Sequence, residues 1–187
     1  MGTVPPPTRS IRALIVCVPG LSDDVLRGFA VGTVPPAKSQ GGLPSDCRGV
    51  PVMADESLIT AEQAGRLIEL GACDVFNIRI SKCGGITGSL AIAKLAHDAG
   101  IQIQIGAQVG ETGILSAAGR TLAAHVPALA FAEGSFGTWL LAEDITLENV
   151  AFGYGGRAPL LKSRGLSVTV KEDSLERFAT KKIELRR

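Results

Sequence analysis

Between Val50 and Glu133 the chain repeats one plan: a short apolar strand, a turn carrying polar side chains, then a helical pattern. Strands read at Val50–Ala54, Asp74–Ile80, Ile101–Ile105 and Ala128–Ala132, about 27 residues apart, which is the length of one βα unit. Successive βα units joined by right-handed crossovers build a parallel sheet. Polar residues stand at the C-terminal ends of these strands: Asp55-Glu56-Ser57, Arg79, Gln108 with Glu111, and Glu133. That placement is the signature of a site on a (β/α) barrel. The expected fold class is therefore α/β, a partial (β/α) barrel of parallel strands alternating with helices, a half-barrel in extent.

The elements carry their own signals. Thr60 is a good N-cap, and Ala61, Ala64, Leu67, Ile68 and Ala72 recur at helical spacing up to a stop at Gly71. Within Asp74–Ile80, Phe76, Ile78 and Ile80 alternate with Asn77, Arg79 and Ser81, so the polar set should face the site. By that parity Lys82 points away from Arg79. Gly84-Gly85 turns the chain into a face of Gly88, Ile92, Leu95, Ala96 and Ala99, ended by Gly100. Ile101, Ile103 and Ile105 alternate with Gln102 and Gln104, and Leu115, Ala118, Leu122 and Val126 mark a third helix.

The flanks differ from this plan. Residues 1–49 read as an atypical leader: a strand at Ile11–Val18, a capped turn at Ser22–Arg27, and a Pro/Gly-rich linker from Gly32 to Gly49. Residues 50–187 form the second unit. In it Leu140–Ile145 is a short amphipathic piece, Gly153–Gly156 a turn and Gly165–Val170 a strand. Asp173 is placed to cap a basic helix from Ser174 to Leu185.

Nineteen basic residues against 18 acidic leave a net charge of +1, which excludes nucleic acid or an acidic membrane as a charge-driven partner. No apolar run reaches the roughly 18 residues of a membrane helix. Cys17, Cys47, Cys73 and Cys83 form no CxxC pair and have no His at ligand spacing, so they read as reduced thiols of a cytoplasmic protein. His97 and His125 fall on helices, away from the strand ends.

The stretches Pro-Val-Met-Ala-Asp-Glu-Ser at 51–57, Asn-Ile-Arg-Ile-Ser-Lys-Cys-Gly-Gly at 77–85 and the turn at Gly165-Leu166 carry a resemblance. Together, in that order, they resemble the muconate-lactonising and mandelate-racemase-like branch of the enolase superfamily, over about Val50 to Phe178. The resemblance implies an isomerase or lyase: a cycloisomerase, racemase, epimerase, dehydratase or synthase. It also implies Mg²⁺ holding the carboxylate of a small substrate while acid and base residues move the α-proton. Asp55 then stands at the third metal carboxylate. Arg79 takes the place of the catalytic lysine of the sixth strand, with Lys82 three residues on. Glu111 lies near the acid that follows the seventh strand. Asn77, Gln108 and Glu133 become candidate substrate contacts.

The departures from the family shape the expectation. A guanidinium stays protonated, so Arg79 anchors a carboxylate or stabilises an enolate rather than abstracting a proton. Gly110 occupies the position where the family is acidic, one residue before Glu111. Ala130-Phe131-Ala132-Glu133 lacks the paired aspartates that hold a dipeptide's ammonium. Residues 1–49 carry no Lys-x-Lys, and Asp23-Asp24 is their only acidic pair, so the metal site is expected to be incomplete and the chain a truncated or inactive form. A half-barrel has two open sheet edges, which favour a homo-oligomer or another edge partner. The alternative is a non-catalytic α/β module that holds an anion through Arg79 and the Gly84-Gly85 loop.

Overall fold

The computed structural model describes residues 51–127, 129–134 and 137–183. The features expected between Ile11 and Gly49 lie outside them, as do Cys17, Cys47 and Asp23-Asp24. Four strands, β1 (Met53–Ala54), β2 (Val75–Ile78), β3 (Gln102–Ile105) and β4 (Leu129–Ala132), pair in parallel in the order β1-β2-β3-β4. Helices α1 (Ala61–Glu69), α2 (Gly85–Ala99) and α3 (Gly113–His125) connect them. Each connection is a βα unit, so the expected α/β half-barrel is what forms. No described helix is long and apolar enough to cross a membrane.

The caps follow from local sequence. Thr60 Oγ1 accepts from Gln63 N at 3.2 Å, and Gln63 Oε1 accepts in return from Thr60 N at 3.2 Å. This reciprocal pair satisfies two of the amides that α1 leaves open at its start. Gly100 ends α2 at φ +70, a left-handed conformation that costs glycine little.

One face of the sheet is apolar. Phe76, Ile78, Ile103 and Ile105 are fully buried against Ile92 and Ala96 of α2 and Leu122 of α3. The opposite parity carries Asn77 of β2 in register with Gln104 of β3. Both amides are buried. Helices thus cover the outer face, and the polar set lines the inner one. A register shift at Ile103/Gln104 sets Gln104 against Phe131 and Ile105 against Ala132, which leads the end of β4 toward Gly106.

Four expectations are corrected. β2 ends at Ile78, not Ile80, because Lys82 N and Cys83 N both donate to Arg79 O, at 3.0 and 2.8 Å. Residues 79–84 are therefore a turn, and strand parity says nothing about Lys82. The strand expected at Gly165–Val170 reduces to one antiparallel bridge of Val170 with Thr146, with Ser167 in the left-handed region at φ +58. The terminal helix is α5 (Glu172–Phe178), with Lys171 rather than Asp173 at the N-cap position and no side-chain cap there. Lys171 N donates to Ile145 O, and Ser174 Oγ donates to Glu143 Oε1, so the position of this helix is set by the 143–145 segment and not by a local cap. The piece expected at Leu140–Ile145 is likewise displaced: the helical turn is α4 (Gly137–Leu140), followed by bends. Gly153–Gly156 does turn, with a 3-10 segment at Tyr154–Gly156.

Candidate functional site

The site forms where β1 to β4 end. Asp55 follows β1 directly, and its carbonyl accepts from Leu58 N at 2.9 Å, closing a tight turn through Glu56 and Ser57. Arg79 follows β2 and opens the 79–84 turn. The two turns lock together. Arg79 Nε donates to Asp55 Oδ1 at 3.0 Å, and Arg79 Nη2 reaches both Asp55 Oδ1 and Glu56 Oε1. Lys82 Nζ donates to Asp55 Oδ1 and to Asp55 O, each at 2.5 Å. Lys82 thus converges on the same carboxylate as Arg79, which corrects the sequence expectation. The turn carries Lys82 back under the strand end, where its side chain is only 8% exposed.

The electrostatics follow from this crowding. Burial opposes ionisation of Asp55, but hydrogen bonds and charge from Lys82 and Arg79 outweigh it and hold the carboxyl below its ordinary value. Burial also works against the Arg79 charge, and Asp55 and Glu56 more than offset it. Glu133 is different. Burial is the largest influence on it, followed by the opposing attraction of Arg79, and its carboxyl is pushed above the ordinary range.

The remaining expected residues fall into two further groups. Gln104 Nε2 bridges Asn77 Oδ1 at 3.3 Å and Glu133 Oε2 at 3.1 Å, a polar ladder across β2, β3 and the end of β4. The second group starts from Gln108, whose Oε1 accepts from Arg79 Nη1 at 3.1 Å and whose Nε2 donates to Ser81 Oγ at 3.1 Å. Glu111 turns toward its own loop. It accepts from Gln108 N at 3.1 Å and from Ser116 Oγ at 2.8 Å, in the first turn of α3. Its contacts shape the loop rather than reach Asp55. Arg79, Gln108, Glu111, Ser116, Arg120 and Glu133 line a cavity of about 20 Å³, room for about one water.

Two positioning residues carried no local signal. Gly113 N, the first amide of α3, donates to Asp144 Oδ1 and Oδ2 at 2.9 and 3.0 Å. Thr112, the residue before it, makes no side-chain cap, so a carboxylate 31 residues away does that work. Asp144→Ala is expected to lose about 1 kcal/mol in urea unfolding, because nothing nearer in sequence caps this helix. Gly106 is the other. A Cβ there would stand 2.1 Å from Asn77 Oδ1 and 3.0 Å from Arg79 Cγ.

The described residues do not fit Mg²⁺. No three of His, Cys, Asp and Glu gather among them as a metal site requires. The one carboxylate expected to bind metal, Asp55, already has a guanidinium and an ammonium on its oxygen. Cys73 and Cys83 are buried, and desolvation pushes the Cys73 thiol up to about 11. His97 and His125 lie exposed on α2 and α3.

The enolase C-terminal domain-like family model matches residues 37–174. A D-Ala-D/L-Ala epimerase of Cytophaga hutchinsonii is 47% identical over 81 residues, 43% of this chain and 20% of that protein. The crystal structure of 2-chloromuconate cycloisomerase from Rhodococcus opacus 1CP superposes with a TM-score of 0.65 at 28% identity, over 73% of this chain and 36% of that one. The dipeptide epimerase from Enterococcus faecalis V583, complexed with Mg and the dipeptide L-Leu-L-Tyr, gives 0.59 at 33% identity, over 64% and 33%. The chain spans about a fifth to a third of the length of the curated relatives it matches.

Proposed function

The chain belongs to the enolase C-terminal domain-like family, and from that premise we propose that its strand-end face binds a small carboxylate through Arg79 without abstracting the α-proton by itself. One observation carries this reading. At the position where the family resemblance expects a catalytic lysine, a guanidinium donates to Asp55, Glu56 and Gln108. Arginine does not deprotonate near neutrality, so it makes no general base. It is suited to hold a carboxylate, because its planar fork matches the two oxygens. Lys82 Nζ is bound into the same cluster by Asp55, so its nitrogen is committed to that carboxylate rather than presented to the α-carbon of a ligand.

The other side chains have supporting roles in this reading. Gln108 orients the Arg79 fork from one side, and Asp55 fixes it from the other. Glu133, half-buried and with its carboxyl pushed above the ordinary range, offers a hydrogen-bonding carboxyl group to the rest of the ligand. Glu111 shapes the loop that presents Gln108. The family's Mg²⁺ accompanies the dipeptide in a related structure. In this chain Asp55 serves as counter-ion to two cations, and no step is assigned to a metal.

The reading is tested on Cα. With L-Ala-L-Glu or N-acetyl-L-alanine as probe in deuterated water, the chain is expected to introduce no deuterium above the protein-free rate. The same probes are expected to raise the melting temperature, and Arg79→Ala to abolish that rise. Deuterium incorporation overturns the non-catalytic reading, and protection that survives Arg79→Ala overturns Arg79 as the anchor. The alternative anion site on Gly84-Gly85 has lost one of its donors, because Gly85 N is spent on Ile80 O at 2.9 Å.

A further inference from the structure

Arg79 touches two carboxylates that differ sharply in setting. Asp55 is one-third exposed and is also held by Lys82, while Glu56 is 80% exposed and has Arg79 as its ion-pair partner. The Asp55 pair is built into the junction of two turns. The Glu56 pair is a surface contact between a long side chain and a fork that the other carboxylate already fixes. Exposed pairs of this kind shift an equilibrium by anywhere from nothing to about fivefold, since solvent and side-chain entropy offset the attraction.

Glu56 carries the same chemical group as the proposed ligand, and it sits on the same guanidinium nitrogen. Its backbone is held on both sides: Lys82 Nζ donates to Asp55 O, and Leu58 N donates to Asp55 O. The side chain of Glu56 can therefore leave Arg79 without moving the turn. Asp55 cannot do so without stranding Lys82 in a buried position.

We infer that Glu56 is a built-in competitor for the carboxylate site, occupying Arg79 Nη2 in the free protein and yielding it to an incoming small carboxylate. This rests on the reading of Arg79 as a carboxylate anchor. It makes apparent affinity depend on the fraction of molecules in which Glu56 has swung away. Asp55 keeps the guanidinium oriented in both states.

The test is a chemical-shift titration of the full chain with succinate at constant ionic strength, on wild type, Glu56→Gln and Glu62→Gln. Glu62 is an exposed residue in the first turn of α1 and controls for the change in net charge. Succinate is expected to bind Glu56→Gln about two- to fivefold more tightly than wild type, and Glu62→Gln like wild type. Equal or weaker binding by Glu56→Gln overturns the competitor role while leaving the carboxylate site standing. An equal gain in Glu62→Gln also overturns it, as a general charge effect. No saturable shift in any of the three overturns the carboxylate reading and the competitor together.

Discussion

Asp55→Asn is expected to lower stability by about 3 kcal/mol, which in a domain of this size shifts the melting temperature by on the order of 10 °C. The substitution removes the counter-charge of two cations whose side chains are only 12% and 8% exposed. Asparagine keeps one acceptor oxygen but leaves Lys82 without its carboxylate partner and Arg79 with the exposed Glu56 as its counter-charge, and removing one partner of a partly buried cluster costs more than the cluster contributes as a whole. The same loss is expected in magnesium chloride and in chelator, because Asp55 acts as counter-ion. A wild-type stabilisation by Mg²⁺ that Asp55→Asn removes would overturn that role. The pH dependence has a definite sign. The folded-state pKa lies below the ordinary value of 3.8, so the stabilisation is complete above that value. It is lost as pH falls through the folded pKa, where wild type and the Asn variant should converge.

Gly106→Ala is the second large effect, expected to cost about 2 kcal/mol in urea unfolding. The new Cβ would lie 2.1 Å from Asn77 Oδ1. Asn77 has little room to retreat, since it is 2% exposed and accepts from Gln104 Nε2. The strain passes to Arg79, whose Cγ lies 3.0 Å from the same point, so carboxylate protection should weaken along with stability. Gly65 provides the contrast. It lies within α1 with nothing near its missing Cβ, and Gly65→Ala is expected to stabilise by about 0.5–1 kcal/mol through helix propensity. Opposite signs for the same chemical change would locate the effect of Gly106 in the site and not in glycine itself.

The elements from β1 to β4 were legible because each is short, strongly periodic and bounded by its own punctuation. Thr60 with Gln63 starts α1 by contacts three residues apart, and Gly100 stops α2 by its own backbone preference. The alternation in β2 and β3 correctly separated Phe76, Ile78, Ile103 and Ile105 from Asn77 and Gln104, because a covered outer face admits only one parity. The C-terminal expectations failed where position is set from a distance. Val170 pairs with Thr146, Lys171 N with Ile145 O, and Ser174 with Glu143. A cap or bridge supplied by residues more than twenty positions away leaves no local pattern to read.

The same division runs through the site. Sequence alone placed Asp55, Arg79, Gln108 and Glu133 at strand ends, because strand length and direction decide where polar residues emerge. It also made Arg79 a poor candidate for a general base, since that follows from the chemistry of a guanidinium. Tertiary structure decided who partners whom. It brought Lys82 under Asp55 by ending β2 two residues early, turned Glu111 onto Ser116, and assigned the cap of α3 to Asp144. The physical reason is range: periodicity and propensity act over a few residues, whereas the sharing of one carboxylate by Arg79 and Lys82 exists only once two turns 24 and 27 residues apart are packed together.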